Sequence, residues 1–106
     1  MYFLVKSLVE IVEGCISGDL KAQEKLYHRF SSMLFGVSLR YADNYDEAKD
    51  ILQDGFIKIF ESIGQLRNKE AVGAWMRRIV INTALARHRE KVRFDQVEHH
   101  KDDCIS

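Results

Sequence analysis

Three hydrogen-bonding side chains are close enough in sequence to form one binding surface. Asp50, Gln53 and Asp54 are spaced i, i+3 and i+4, so on a helix they share one face within about one turn. No cation lies on that face to neutralise the two carboxylates. Grouped carboxylate and amide oxygens accept hydrogen bonds from arginine and lysine, so the spacing predicts a docking surface for a cationic partner. The alternative is a solvated helix face that simply carries acids.

The opposite charge is concentrated in the next part of the chain. Residues 67–93 carry eight Lys/Arg and two Asp/Glu, whereas residues 43–66 carry two and six. The formal net charge of zero therefore conceals an acidic helix followed by a basic one. Such asymmetry predicts two partners of opposite charge preference, one of them a polyanion. The alternative for the cations is a solvated helix end that complements the macrodipole.

The residues that could hold a metal or perform catalysis do not form a recognisable site. Glu24 and His28 are spaced i, i+4 and have no second copy, which favours a surface pair over a di-metal site. His99, His100 and Cys104 are three candidate ligands in a polar tail, whereas a structural zinc site needs four. No Gly-rich phosphate loop or paired cysteines occur. We therefore expect no metal, no cofactor and no enzymatic activity.

Apolar residues at three- and four-residue steps predict an all-α fold, a compact helical bundle of about four helices. The chain has 106 residues, enough for one small domain, and no proline, which favours unbroken helices. The predicted helices cover residues 3–16, 20–42, 46–63 and 71–90. Residues 94–106 carry one Lys/Arg and four Asp/Glu, and we expect them to form an acidic linker or tail after a domain that spans 1–93.

Capping residues set the predicted helix boundaries. Asp19 or Ser17 is expected to cap the second helix, Asp46 the third and Asn68 the fourth. On the fourth helix we expect Trp75 and Ile79 to face the core. Val80, Ile81 and Ala84 are then expected to leave apolar surface beside the cations. No apolar run is long enough to span a membrane, and we expect a cytoplasmic protein.

The motifs together resemble a known family. The pattern D-I-L-Q-D-G-F-I-K-I-F at 50–60 is followed by L-R-N-K at 66–69 and A-W-M-R-R-I-V-I-N-T-A at 74–84. This succession resembles region 2 of the sigma-70 family of RNA polymerase sigma factors, in particular the extracytoplasmic-function (ECF) type. The similarity extends back to residue 17 and covers residues 17–90.

The resemblance implies two binding functions. The acidic cluster would dock on the coiled-coil clamp of the largest subunit of core RNA polymerase. The following loop and helix would recognise and melt the promoter minus-ten element by holding its non-template strand. The residues at the matching docking positions are Asp50, Gln53, Asp54 and Phe56. Those at the matching DNA-binding positions are Arg67, Asn68, Lys69, Arg77, Arg78, Asn82 and Arg87.

The resemblance also sets what else we expect of the chain. The residues after 93 do not carry the helix-turn-helix of region 4, so we expect either a longer protein cut at its linker, which we favour, or a naturally short one. The resemblance allows an anti-sigma factor as a further partner. The competing functional hypotheses are a helical protein–protein adaptor that does not bind DNA and a non-specific nucleic-acid binder. Net neutrality counts against the latter.

Overall fold

Four α-helices and two short 3-10 helices make up the described residues 2–105. The computed structural model describes the backbone of residues 2–105 and the side chains of residues 7–96. The helices are α1 (Tyr2–Ile16), α2 (Leu20–Tyr41), α3 (Tyr45–Ser62) and α4 (Val72–Ile105), with 3-10 turns at Ile63–Gln65 and Lys69–Ala71. The predicted all-α bundle is confirmed. None of the described helices is both long and apolar enough to cross a lipid bilayer.

The core lies where α2 meets the other three helices. α2 packs against α1, α3 and α4, and α4 also packs against α3. Leu26 and Leu34 of α2, Ile51 and Ile59 of α3 and Met76 of α4 are fully buried. Their removal from water is the main contribution to folding. Because α4 touches both α2 and α3, its side chains are divided between two different clefts.

Side-chain caps begin three of the elements. Asp19 accepts a hydrogen bond from the backbone N–H of Lys21 at 3.0 Å, after Gly18 has turned the chain with a φ of 86°. Asn68 accepts from the N–H of Glu70 at 3.2 Å, at the 3-10 turn that leads into α4. The predictions for Asp19 and Asn68 are confirmed. The prediction for Asp46 is wrong.

The residue that caps α3 lies two positions before Asp46. Asn44 accepts from the N–H of Glu47 at 2.8 Å. Both residues are good capping types, and the turn places Asn44 first. Asp46 instead lies in the first turn of α3, where its charge complements the macrodipole.

The buried face of α4 differs from the predicted one. Val80 and Ala84 are buried, with 0% and 2% of their surface exposed, whereas Trp75 and Ile79 are only half-buried. The prediction that Val80 and Ala84 leave apolar surface beside the cations is therefore wrong. The physical reason is that α4 is packed on two sides, which rotates Val72, Met76 and Val80 into the core.

The helical tail is a second correction at α4. The helix was expected to end near Glu90 and to give way to a linker after residue 93, but it continues without a break to Ile105. The side chains of His99, His100 and Cys104 lie outside the described part of the chain. The tail carries no proline or glycine, and so nothing in its sequence ends the helix.

A glycine sets the spacing between α3 and α4. A Cβ atom built on Gly55 would lie 2.9 Å from Cγ2 of Val80, a distance at which one of the two must move. The two helices therefore approach each other closely at Gly55 and Val80. The contact between Asp54 and Arg87 lies further along the same pair of helices.

Candidate functional site

The acidic face of α3 is exposed as the spacing predicted. The side chains of Asp50 and Asp54 are 62% and 44% exposed, and Gln53 is exposed between them. We call Asp50, Gln53 and Asp54 the acidic cluster. The buried residues Ile51, Phe56 and Ile59 hold the opposite face of α3 in the core, which fixes the direction in which the cluster points.

A cation on a neighbouring helix does reach this cluster, contrary to the prediction that none lies on this face. Arg87 of α4 donates from Nη1 to Oδ2 of Asp54 at 2.7 Å, and its Nη2 lies 3.9 Å from Oδ2 of Asp50. Arg87 is 33 residues from Asp54 in sequence, so a helical-face argument on α3 alone could not find it. Arg87 was predicted to bind DNA, and in the structure its guanidinium contacts the acidic cluster.

Apolar surface borders the acidic cluster. A cavity of about 420 Å³ lies between α2 and α3 beside Gln53. Tyr27 and Ile57 line it and are 42% and 51% exposed. Phe56, predicted as a docking residue, is 5% exposed and packs against Tyr27 with ring centroids 4.8 Å apart. Phe56 therefore forms the floor of this cavity and presents little surface of its own.

Sequence reasoning missed Tyr27 and Ile57 as surface residues of this region. The signal for Ile57 was available, because it lies off the buried stripe of α3 formed by Ile51 and Ile59. Tyr27 could not be found from local periodicity, because its position beside α3 depends on how the two helices pack.

A second ion-pair group continues along the same side of α4. Lys91 contacts the carboxylate of Asp43 and lies 3.3 Å from Oε2 of Glu47. The hydrogen bond from Lys91 holds the pKa of Asp43 below its ordinary value, and the hydrogen bonds to Asp43 and Glu47 raise the pKa of Lys91. The side chains of Lys91 and Asp43 are largely exposed, so their pair fixes position more than it adds stability.

The predicted DNA-binding residues of α4 form a separate surface. Arg77, Arg78 and Asn82 are exposed and line a shallow groove of about 600 Å³. We call this the basic groove. Met33 of α2 and Ile81 form an apolar wall. Gly73 also lines the groove and lies close to the ring of Phe30, since a Cβ added at Gly73 would be 3.2 Å from that ring. The groove thus combines two cations, one amide and an apolar wall.

Met33 of α2 lies on the surface. Its side chain is 43% exposed and lines the basic groove. Its neighbour Leu34 takes the core position.

The predicted loop residues have three different environments. Arg67 is exposed, Asn68 uses its side chain as a cap, and Lys69 lies 3.4 Å from Oε1 of Glu13 on α1. The Lys69 pair is exposed and therefore weak, and it holds the loop against α1. Arg67 extends from the end of the bundle at which α4 begins.

The basic groove and the Arg87 contact lie on different sides of α4. Arg78 and Arg87 are nine residues apart, which at about 3.6 residues per turn places them on opposite faces, separated by about 13 Å along the axis. The groove is shared with α2, and the Arg87 contact is shared with α3. One helix therefore contributes to both candidate surfaces.

The remaining titratable groups of the described side chains do not form a metal site. Cys15 is buried, and burial raises the pKa of its thiol, with the charge of Asp19 adding to this effect. A raised pKa lowers thiolate content and reactivity. Within residues 7–96, no group of three or more His, Cys, Asp or Glu side chains is arranged to hold a metal ion.

Comparison with known proteins identifies the family. The family model for sigma-70 region 2 matches residues 26–94, which include both the acidic cluster and the basic groove. The chain belongs to the sigma-70 family. Its curated relatives include sigma factors of the ECF type, which agrees with the resemblance seen in the motifs.

Two of these relatives show the extent of the match. The RNA polymerase sigma-H factor of Pseudomonas aeruginosa is 33% identical over 75 residues, which are 71% of this chain and 39% of the relative. The ECF RNA polymerase sigma-E factor of Haemophilus influenzae is 36% identical over 74 residues, 70% of this chain and 39% of the relative. The chain therefore spans about two fifths of the length of these relatives.

A solved structure supports the same region. The NMR structure of an engineered region 2 of sigmaE in complex with GTAAAA matches with a TM-score of 0.73 and 27% sequence identity. The match covers 80% of this chain and 88% of that one. The sigma region 2 fold thus extends over most of the chain described here.

Proposed function

We propose that this chain is the part of an ECF sigma factor that binds core RNA polymerase through the acidic cluster and holds the opened promoter minus-ten element in the basic groove. The observation that carries the proposal is the placement of an acidic and a basic surface on two sides of α4. The same molecule can therefore contact a cationic protein and a polyanion at once.

The acidic cluster suits a helix of the polymerase clamp. Asp50, Gln53 and Asp54 accept hydrogen bonds from arginine, and the neighbouring cavity lined by Tyr27 and Ile57 accepts an apolar side chain. A partner helix with an arginine about one turn from an apolar residue fits both features. An anti-sigma factor that covers this surface would compete with the polymerase.

The basic groove suits a single strand. Arg77 and Arg78 can contact phosphates, the apolar wall of Met33 and Ile81 can pack against a base or sugar, and the amide of Asn82 can donate to and accept from a base edge. Arg67 is exposed in the loop before α4, and we propose that it contacts the same strand.

Melting then requires no catalytic group. Extrusion of a base from the duplex costs a few kcal/mol, and contacts that form only with the separated strand offset this cost. We accordingly propose a non-enzymatic role in the cytoplasm, where the polymerase acts. The neighbouring structure was solved with GTAAAA, which makes this hexamer the natural first ligand.

Binding of fluorescent single-stranded hexamers tests the proposal. GTAAAA and a panel of permuted hexamers are titrated with the chain by fluorescence anisotropy, in the presence and absence of core polymerase. We expect weak binding that depends on base sequence and becomes tighter when polymerase is added. No dependence on sequence in either condition would contradict the proposal and favour a non-specific binder or an adaptor.

A further inference from the structure

We propose that Arg87 is an internal competitor for the acidic cluster: its guanidinium occupies the place of the partner's cation, and docking displaces it. The inference rests on the proposed function, because it concerns how the polymerase gains access to the same cluster. It assigns to Arg87 a regulatory role on the docking surface in place of DNA contact.

The geometry shows that Arg87 spans the cluster. Its Nη1 donates to Asp54 at 2.7 Å and its Nη2 approaches Asp50 at 3.9 Å. A partner arginine that binds both carboxylates would need these same oxygens. Arg87 is hydrogen-bonded to Asp54 and only near Asp50. The carboxylate of Asp50 is therefore the more available of the two, and a partner cation contacts it first.

The contact is weak enough to be displaced. The side chains of Arg87 and Asp54 are 38% and 44% exposed, and water screens the pair. An exposed ion pair of this kind favours the arrangement in which Arg87 contacts Asp54 by at most about fivefold. The apparent affinity for the polymerase is proportional to the fraction of molecules in which this contact is open. Arg87 therefore tunes docking and does not prevent it.

Departure of Arg87 leaves α4 in place. Val80 and Ala84 remain in the core, and Lys91 remains on Asp43 and Glu47, which lie outside the cluster. Displacement thus involves rotation of one side chain and not movement of a helix. The basic groove on the other side of α4 keeps its shape when the polymerase docks.

The competition lowers the affinity of every partner by the same factor, because each must displace Arg87. A preference for arginine over lysine comes from the cluster itself, since a guanidinium presents two parallel donors and a lysine ammonium is a single compact charge.

Affinity for core polymerase tests the inference with the variant Arg87→Gln. The labelled chain is titrated with polymerase at fixed salt, and circular dichroism checks the fold of each variant. We expect Arg87→Gln to bind about two- to fivefold more tightly than wild type. Arg89→Gln is the matched control, because Arg89 is exposed on a different face of the same helix, and its affinity should equal that of wild type.

A second pair of variants isolates the contact. In an Asp54→Asn background the Arg87→Gln change should no longer tighten binding, as expected when two residues interact. Arg87→Lys keeps the charge but cannot span both carboxylates, so it should bind with intermediate affinity. It also serves as the test if the glutamine variant does not fold.

The outcomes separate the inference from the proposed function. Wild-type binding with equal or weaker binding of Arg87→Gln overturns the inference alone. Absence of polymerase binding by wild type overturns the proposed function and, with it, the inference.

Discussion

The two halves of the basic stretch 67–93, residues 67–80 and 81–93, each carry four Lys/Arg and one Glu but have different surroundings. In the first half, Arg77 and Arg78 are exposed along a groove shared with α2. In the second half, Arg87 and Lys91 contact carboxylates of α3 and of the turn before it. Both halves contribute to the same basic stretch of sequence, yet their cations are used differently.

The difference teaches that a count of charges does not give the charge available to a partner. Of the cations in residues 67–93, Lys69, Arg87 and Lys91 have acidic partners in the described part of the chain. Arg77 and Arg78 have no such partner among the described side chains and line the basic groove, where a nucleic acid can meet them. Arg87 and Lys91 instead connect α4 to α3 and to the turn before it, on the side of the docking surface.

The largest expected effect on stability comes from truncating a core side chain of α4. Met76 is fully buried, and Met76→Ala should lower the free energy of unfolding by about 2–5 kcal/mol. Both binding activities should fall together as folded protein is lost. Chemical denaturation measures the stability, and the two titrations above measure the activities.

A second methionine is the matched control. Met33 is 43% exposed in the basic groove, so Met33→Ala should change stability little. It should weaken hexamer binding by about 1 kcal/mol through lost apolar contact and leave polymerase binding unchanged. Equal destabilisation by the two substitutions would show that the assignment of Met33 to the groove is wrong.

The next effect concerns the crossing that brings Arg87 to Asp54. A Cβ on Gly55 would lie 2.9 Å from Cγ2 of Val80, which is buried and stiff. Overpacking costs about 1–3 kcal/mol, and the higher helix propensity of alanine offsets about 1 kcal/mol. Gly55→Ala should therefore destabilise the fold by up to about 2 kcal/mol and weaken the Arg87 contact by spreading α3 from α4.

A second helical glycine provides the comparison. Gly36 lies within α2 and has no heavy atom within 4 Å of an added Cβ, so Gly36→Ala should stabilise the fold by about 0.5–1 kcal/mol. Thermal unfolding of both variants measures the two effects. Stabilisation by Gly55→Ala of the same size would mean that the helices do not approach closely there.

The smallest change in the free energy of unfolding is expected from Lys91→Gln, which removes the ion pair with Asp43 and Glu47. A lowered pKa of Asp43 contributes stability that is present above its unfolded value and is lost as pH falls through the folded value. The raised pKa of Lys91 contributes stability that is present below its unfolded value and is lost at strongly alkaline pH. The contribution should therefore be constant near neutrality and disappear in acid.

Titration of Asp43 by NMR measures this directly. In Lys91→Gln the pKa of Asp43 should rise towards its ordinary value of 3.8. The stability difference between the variant and wild type should vanish at the acidic end. An unchanged Asp43 titration would show that Lys91 does not hold this carboxylate in solution.

The features predictable from sequence were those with a local cause. The helix class, the stripe that buries Ile51 and Ile59, and the cap at Asp19 follow from spacing and residue type within one element. The exposed face that carries Asp50, Gln53 and Asp54 follows from the same stripe. These depend on neighbours at three or four residues, which the sequence displays.

The features that sequence reasoning missed depend on packing between distant elements. The Arg87 contact joins residues 33 positions apart, and the Lys91 contact joins residues 48 apart. The burial of Val80 and Ala84 follows from two neighbours of α4, whereas periodicity describes only one face. The cap at Asn44 was missed because two good capping residues stand two positions apart.

The most direct test is to measure polymerase binding and hexamer binding in two variants, each of which should lose only one of them. Asp54→Lys should reduce polymerase binding by at least tenfold, because a cation would face the partner's cation, and leave hexamer binding intact. Arg78→Gln should reduce the salt dependence of hexamer binding by about 0.7 in the logarithmic slope and leave polymerase binding intact. Glu10→Lys and Lys21→Gln, exposed positions on α1 and α2, should change neither. Loss of both activities in either folded variant would contradict two separate surfaces on the two sides of α4.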